Sequence, residues 1–252
     1  MKKLLLTACA SLLSTVAFAA NPVVDSPNNH PYLGIRGSFD LSIPGSYHVG
    51  NASVDIFENG PGVGLGLVYN IPLVTNLYIE PGIDLYYNTC GIDLGDDDWD
   101  DDWDDDDWDD WDDWDDDDAP GFIKWRNHSL RKFGMRVPVQ LGYHFDFTNM
   151  FRFHIFTGPV LNLGFSNDYY LTSEEVAGIR YHESGSMYSE DNGLFQMNRF
   201  DCAWRVGVGF NVQDIFIGFS GDMGMVNLVR HNHDGKLKYR ENAFHFTLGY
   251  NF

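Results

Sequence analysis

Two histidines stand where they could take part in acid–base chemistry. His154 and His245 lie on the polar faces of two alternating segments, and the polar faces of other such segments carry Asp40 and Asp222. A histidine beside an aspartate can serve as a general base, and Ser220 is the one hydroxyl on such a face that suggests a nucleophile. Because the sequence does not match that hydroxyl to either histidine, we interpret both as structural residues that neighbouring carboxylates satisfy. The sequence therefore predicts no catalytic site.

A second group of polar residues could bind a metal ion. His231, His233 and Asp234 lie close together in a polar segment, and they could coordinate a transition metal with ligands from elsewhere in the fold. Two histidines at positions i and i+2 of a polar loop are usually solvated instead. We therefore expect no specific metal site and no cofactor.

Residues 96–118 consist of aspartate and tryptophan alone. The tract holds 18 of the 37 acidic residues, and the remaining 19 nearly balance the 16 Lys and Arg. Its charges repel one another, so we expect it to be extended and disordered. It lacks the glycine and the ligand spacing of a calcium loop. The rest of the chain is nearly neutral and has no basic cluster, which excludes nucleic acid as a partner.

The Asp/Trp tract has two interpretations. Its charge density favours loose binding of divalent cations, and its indoles add cation–π contacts that could capture cationic peptides or proteins. Alternatively, it is a low-complexity expansion that an exposed loop tolerates. The possible contact residues are Trp99, Trp103, Trp108, Trp111 and Trp114.

Alternating segments must position these groups. The stretch Phe244–Phe252 places aromatic and aliphatic residues on one face and polar or small residues on the other, which is typical of a β-strand. It resembles the C-terminal strand by which bacterial outer-membrane barrels are recognised, so the barrel assembly machinery is an expected partner. The residues of this signal are Phe246, Leu248, Tyr250 and Phe252.

Seven earlier segments show the same alternation, and no outward position in them is charged. Each has the length that a tilted strand needs to cross a bilayer, and a charge on a lipid-facing position costs about 2–4 kcal/mol at mid-membrane. We predict eight membrane-spanning strands, with outer-membrane lipid around them. They lie within 32–43, 63–71, 77–87, 133–145, 151–163, 200–212, 215–225 and 244–252.

The opposite faces combine glycine with charges of both signs. An eight-stranded barrel is just wide enough for its side chains to fill it, so we expect paired charges in the lumen and no porin-like channel. Prolines at 81 and 159 suggest bulges. The predicted lumen network comprises Arg36, Asp40, Glu80, Asp84, Arg136, Gln140, Arg152, His154, Asp201, Arg205, Asp222 and His245.

The connections complete the predicted topology. Short turns alternate with long segments at about 44–61, 88–132, 166–199 and 226–242, as in barrels with periplasmic turns and extracellular loops. Residues 1–19 read as a secretory signal peptide, 20–30 as a short periplasmic segment and 31–252 as the barrel, with the acidic tract in the second loop. A soluble lipocalin-like barrel is the main alternative, and it would place the apolar faces inside.

This arrangement resembles the small porin-like outer-membrane β-barrel family of Bacteroidetes, which includes PorT-like proteins. The supporting phrases are Glu80–Gly82, Arg136–Tyr143, Thr157–Pro159, Arg205–Phe210 and Gly218–Leu228. The resemblance covers nearly all of the predicted mature chain except the Asp/Trp tract. It implies an eight-stranded antiparallel up-and-down barrel in the bacterial outer membrane, and its motifs carry no catalytic residues.

We therefore expect a non-enzymatic outer-membrane protein with a structural, envelope or surface-interaction role. Two alternatives stay open at this point. One is a hydrolase or acyltransferase that acts on lipid or peptide at the barrel rim. The other is a PorT-like secretion-assembly factor, whose important parts would face the periplasm.

Overall fold

Twelve β-strands make up the regular structure of the residues described here. The computed structural model describes residues 30–49, 52–54, 57–74, 76–92, 125–148, 150–173, 181–190, 196–230 and 237–252. The predicted signal peptide and the Asp/Trp tract lie outside them. Among these residues there is no helix that could cross a membrane. The strands are β1 (Tyr32–Pro44), β2 (Tyr47–Val49), β3 (Ala52–Val54), β4 (Gly60–Val74), β5 (Leu77–Gly91), β6 (Trp125–Asp146), β7 (Phe151–Ser173), β8 (His182–Ser186), β9 (Phe200–Val212), β10 (Ile215–Gly224), β11 (Leu237–Lys238) and β12 (Glu241–Asn251).

Eight of these strands close into an antiparallel ring. The order β6-β5-β4-β1-β12-β10-β9-β7 is closed by the pairing of β6 with β7. The predicted all-β, eight-stranded barrel is therefore confirmed. Short connections at 74–77, 146–151 and 212–215 lie at one end, which we call the turn end, and the long connections lie at the other, the loop end. At the loop end β8 pairs with β7, while β11, β2 and β3 form a separate small sheet.

The register of the strands places apolar side chains opposite apolar ones, and polar side chains opposite polar or small ones. Phe39 of β1 lies opposite Phe246 of β12 and Val63 of β4, while the next residue, Asp40, lies opposite His245 and Gly62. Because successive strand residues point to opposite faces, this pairing separates an apolar surface from a charged one all around the ring.

The apolar surface points outward. Phe39, Leu65 and Phe219 are 55, 62 and 51% exposed, whereas Asp40 and His245 are 0 and 4% exposed. A continuous apolar band of this size is not stable in water, and a closed ring leaves no unpaired edge in lipid. The soluble barrel with an apolar interior is therefore excluded, and we call this outer surface the lipid-facing belt.

Several elements differ from the sequence expectation. Strands β6 and β7 reach 22 and 23 residues, well beyond the segments predicted at 133–145 and 151–163. Register shifts occur between Pro72 and Val74 and at two places in the loop-end half of β6. The bulges predicted at Pro81 and Pro159 are both wrong, because the register is continuous on either side of each proline. Ile71, which the alternation places outward, is buried beside the first shift.

Inward glycines allow neighbouring strands and side chains to approach closely. A Cβ atom on Gly158 would lie 2.1 Å from the backbone oxygen of Val139, whereas one on Gly37 would have no neighbour nearer than 3.9 Å. We expect Gly158→Ala to lower the free energy of unfolding by about 1–3 kcal/mol, because the backbone must move to admit the methyl group. Gly37→Ala is the matched control, with an expected change within about 0.5 kcal/mol in the same urea titration of the folded barrel. Equal effects of the two variants would contradict the close approach.

Candidate functional site: the charged lumen

Arg136 of β6 is the centre of the charged lumen. Its Nε donates to Asp84 Oδ2 at 2.7 Å, and its Nη2 lies 2.8 Å from Asp40 Oδ2. These carboxylates come from β5 and β1, so one guanidinium joins three strands. Arg136 is 5% exposed, and its planar group can satisfy two carboxylates at once in a way that a lysine cannot.

His245 of β12 continues the network between two carboxylates. Its Nδ1 lies 2.8 Å from Asp40 Oδ1, and its Nε2 lies 3.0 Å from Asp222 Oδ2. Arg205 then donates from Nε and Nη2 to the two oxygens of Asp222 at 2.6 and 2.8 Å. Each ring nitrogen of His245 thus faces one carboxylate, and Arg136 Nη1 also lies 3.2 Å from His245 Nδ1.

These six residues form one chain of ion pairs that crosses the lumen. It comprises three carboxylates, two guanidinium groups and one imidazole. Cavities of about 70 and 50 Å³ border it, one toward each end of the barrel, and each has room for a few water molecules at most. We call it the ion-pair chain: Asp84, Arg136, Asp40, His245, Asp222 and Arg205, from β5, β6, β1, β12, β10 and β9.

A second polar group lies toward the turn end. Arg36 Nη2 lies 3.9 Å from Glu80 Oε2, and the Arg36 guanidinium stacks 4.4 Å from the centre of the Phe216 ring. His154 Nδ1 lies 3.1 Å from the hydroxyl of Tyr78, and the His154 ring packs edge-on against the same tyrosine. His154 therefore sits among aromatic rings rather than beside a carboxylate.

A third polar group lies toward the loop end. Lys132 Nζ donates to Glu241 Oε2 at 2.5 Å, and Ser42 Oγ donates to the other oxygen of Glu241 at 2.5 Å. Asp201 accepts from Asn162 Nδ2 at 3.1 Å and from the backbone N–H of Cys202. Each of these partly buried carboxylates thus accepts from a side chain on a neighbouring strand.

An apolar cluster covers the lumen above this third group. Leu130 and Met187 are fully buried in it, and the Phe57 ring packs edge-on against Tyr239. Burial raises the pKa of Tyr188, at the edge of the cluster, to about 12 and raises that of Tyr239 as well. We call it the loop-end cluster: Phe57, Cys90, Ile92, Leu130, Tyr169, Met187, Met197, Leu228, Val229 and Tyr239.

The structure places the twelve predicted lumen residues as follows. Six form the ion-pair chain, while Arg36, Glu80 and His154 belong to the second group and Asp201 lies at the loop end. Gln140 is buried within the barrel, and Arg152 donates to Asp146 Oδ1 at 2.6 Å at the turn end. The sequence interpretation missed Lys132, Glu241 and His144. The alternation of β6 identifies Lys132 as inward, since it directly precedes outward Phe133, but the predicted loop at 88–132 includes it.

The described residues do not support a catalytic or metal site. Ser220 lies opposite His245 across β10 and β12, yet both nitrogens of that histidine face carboxylates. No group of three or more His, Cys, Asp or Glu side chains in the described part of the chain could hold a metal ion. The metal candidates His231, His233 and Asp234 lie outside the described residues.

A closed eight-stranded ring with a lipid-facing belt and a charged interior is the architecture of bacterial outer-membrane proteins. This chain is an outer-membrane β-barrel. Its location in the bacterial outer membrane follows from that architecture, because the belt has to be surrounded by lipid.

Solved outer-membrane proteins resemble the chain at low sequence identity. Ail, the attachment invasion locus protein of Yersinia pestis, is 10% identical with a TM-score of 0.39 over 88% of this chain and 99% of its own. The neisserial surface protein NspA is 8% identical with a TM-score of 0.38 over 87% and 97%. OprG of Pseudomonas aeruginosa is 9% identical with a TM-score of 0.39 over 89% and 97%. No protein-family model and no curated protein matches the sequence.

Proposed function

We propose that this barrel is a non-enzymatic surface protein that acts through its loop end and not through its lumen. The acidic Asp/Trp tract captures divalent cations or cationic peptides and proteins outside the cell, and the barrel holds that tract at the membrane surface. We also propose that the protein is related to the small porin-like barrels of Bacteroidetes, because it shares the sequence motifs given above.

The ion-pair chain is the observation that supports this proposal most strongly. A channel needs free polar groups along a continuous path, whereas here the central charged side chains engage one another across the lumen. The loop-end cluster adds an apolar cover above them. Since the interior is used for structure, recognition is left to the surface.

The attachment points of the tract also favour a surface role. Strand β5 ends at Gly91 and β6 begins at Trp125, both at the loop end, and the tract lies between them in the sequence. Ile92, the last described residue before the tract, is buried in the loop-end cluster. The chain thus leaves the packed loop-end cluster only four residues before the tract begins.

Deleting residues 96–118 tests this function. We expect the deletion variant to fold, because described residues on either side of the tract pair β5 with β6. We expect it to lose at least about tenfold in affinity for oligolysine at low salt. Binding would be measured on the barrel in vesicles over a range of ionic strengths. Equal binding by the deletion variant would contradict the proposal.

Two replacement variants separate the contributions of charge and of indole. Exchanging the 18 aspartates of the tract for asparagine is expected to abolish the salt-sensitive part of oligolysine binding, while exchanging its five tryptophans for serine weakens binding and leaves the salt dependence unchanged. A tract that is only a tolerated expansion would give unchanged binding in both variants.

The alternative functions make different predictions. A rim enzyme would lose activity on replacement of His154 or His245, but the contacts of these residues with Tyr78, Asp40 and Asp222 favour a structural role. A PorT-like secretion-assembly factor would depend on its turn end and tolerate deletion of the tract. Assays of secreted-protein levels in a deletion strain that carries the tract-less variant would distinguish it.

A further inference from the structure

A groove crosses the lipid-facing belt in its loop-end half. It has a volume of about 450 Å³ and lies over β1, β12, β10 and β9. Gly221 of β10 lies opposite Phe244 of β12 on one side and Val206 of β9 on the other. Because Ser220 and Asp222 are buried in the lumen, Gly221 faces lipid, and its missing side chain leaves a gap among larger neighbours. The apolar side chains that line the groove include Phe39, Leu41, Val206, Phe219, Phe244 and Phe246.

The walls of the groove are open to the membrane. Phe39, Phe219 and Phe244 are all more than half exposed, and the groove is continuous with the rest of the lipid-facing belt. Its occupant is therefore a hydrocarbon chain of the surrounding lipid. Within a membrane, apolar groups associate through packing contacts and not through the release of water. A groove with aromatic walls offers an acyl chain more of these contacts than the flat belt does, so one chain is held in preference to its neighbours.

Two cations lie on the same outward face, nearer to the loop end than the groove. Tyr239 is buried in the loop-end cluster, and Glu241 belongs to the third polar group of the lumen, so both point inward. Lys238 and Arg240 alternate with them and are exposed, which places both on the face that continues to Phe244. Arg240 precedes Phe244 by four residues, or about 13 Å along the chain. Neither cation forms a salt bridge with another residue in the described part of the chain.

We propose that this surface binds an anionic, acylated glycolipid of the outer leaflet, the chemical class to which lipid A belongs. Outer-membrane barrels have short periplasmic turns and long extracellular loops, so the loop-end half of the belt lies in the outer leaflet. One acyl chain occupies the groove, and a phosphate of the head group lies against Lys238 and Arg240. The order along the barrel wall, with cations at the rim and the apolar groove below them, is the order of head group and tail in such a lipid.

A second copy of the barrel is a less suitable occupant because of the same two cations. The two-fold axis of a dimer in a membrane runs along the membrane normal, so equivalent residues of both copies lie at the same height. A dimer through the groove would therefore bring Lys238 and Arg240 of both copies toward one another. Like charges repel, whereas a phosphate neutralises them.

The test measures dissociation constants for the full-length barrel in detergent micelles by native mass spectrometry. The two probes are bisphosphorylated lipid A and the same lipid A after removal of its phosphates, and we expect the first to bind about fivefold more tightly or better. Gly221→Leu fills the groove and is expected to weaken the binding of both probes about fivefold or more. Gly37→Leu is the matched control, because it adds the same side chain to the belt at an open position outside the groove lining, and it is expected to leave binding unchanged.

A second pair of variants tests the head-group contact. Arg240→Gln is expected to weaken the binding of the phosphorylated probe about fivefold and to leave the dephosphorylated probe unaffected. Arg131→Gln removes an exposed cation from β6, which does not border the groove, and is expected to change the binding of neither probe.

Folding of each variant is checked by heat-modifiable migration on gels, so that a misfolded variant is not read as a loss of binding. If Gly221→Leu does not fold, Arg240→Gln decides, because Arg240 is exposed at the rim. The proposal is overturned if removal of the phosphates does not weaken binding, or if folded Gly221→Leu or Arg240→Gln binds the phosphorylated probe like the unchanged protein. Barrel dimers in place of lipid complexes in the same spectra would assign the groove to a second copy and would overturn it as well.

Discussion

Replacing Arg136 with methionine is expected to destabilise the barrel by about 3–5 kcal/mol, the usual effect of removing one partner from a buried ion pair. The change leaves Asp84 and Asp40 without their shared cation inside the lumen. Methionine has a similar length, so the loss reports the missing charge and not a large cavity. The measurement is the urea dependence of folding in lipid vesicles, followed by tryptophan fluorescence and by gel migration.

Arg131→Met is the matched control for this prediction. Arg131 lies on the same strand but is exposed, and its guanidinium stacks 4.5 Å from the centre of the Tyr170 ring. We expect its loss to cost no more than about 1 kcal/mol. If both variants unfold at the same urea concentration, the ion-pair chain does not stabilise the barrel as the structure suggests.

Leu65→Arg is the second change with a large expected effect. Leu65 is 62% exposed on the lipid-facing belt, so an arginine there must enter the hydrocarbon region. We expect a loss of about 2–4 kcal/mol in the same titration and a lower yield of folded barrel in vesicles.

Glu183→Arg provides the comparison for Leu65→Arg. Glu183 is exposed on β8, which extends the sheet at the loop end. An arginine there stays in water, so the change is expected to fall within about 0.5 kcal/mol. Equal tolerance of arginine at both positions would be inconsistent with a belt that faces lipid.

The ring of strands could be predicted because it follows from one simple period. Alternation of apolar and polar residues identifies both faces of a strand, and a face with no charges cannot be a water-exposed surface of this length. The structure accordingly buries Asp40 and exposes Phe39 in adjacent positions. Ile71 is an exception, because it lies beside the register shift between Pro72 and Val74, where the alternation is interrupted.

The partners within the lumen could not be predicted in the same way. Alternation shows that Arg136 and His245 point inward, but it does not show that Arg136 meets Asp40 and Asp84, or that His245 lies between Asp40 and Asp222. Those contacts depend on the stagger of the strands around the ring, which is a property of the closed barrel.

The loop end was missed for a different reason. Its short strands, such as β8 and β11, pair over only a few residues, and the loop-end cluster collects side chains that are far apart in the sequence, such as Phe57, Met187 and Tyr239. No local period identifies such a cluster. The loop-end halves of β6 and β7 likewise fall within predicted loops, since polar residues interrupt their alternation.

The offset between the ends of β5 and β6, together with the length of chain that joins them, limits how far from the barrel a partner could be bound. Strand β5 ends opposite Ser129, while β6 begins at Trp125, four residues or about 13 Å further along the barrel wall. The chain between Ile92 and Trp125 could span at most about 110 Å if fully extended. Covalent geometry therefore limits the midpoint of this chain to a distance of at most about 50 Å from the rim.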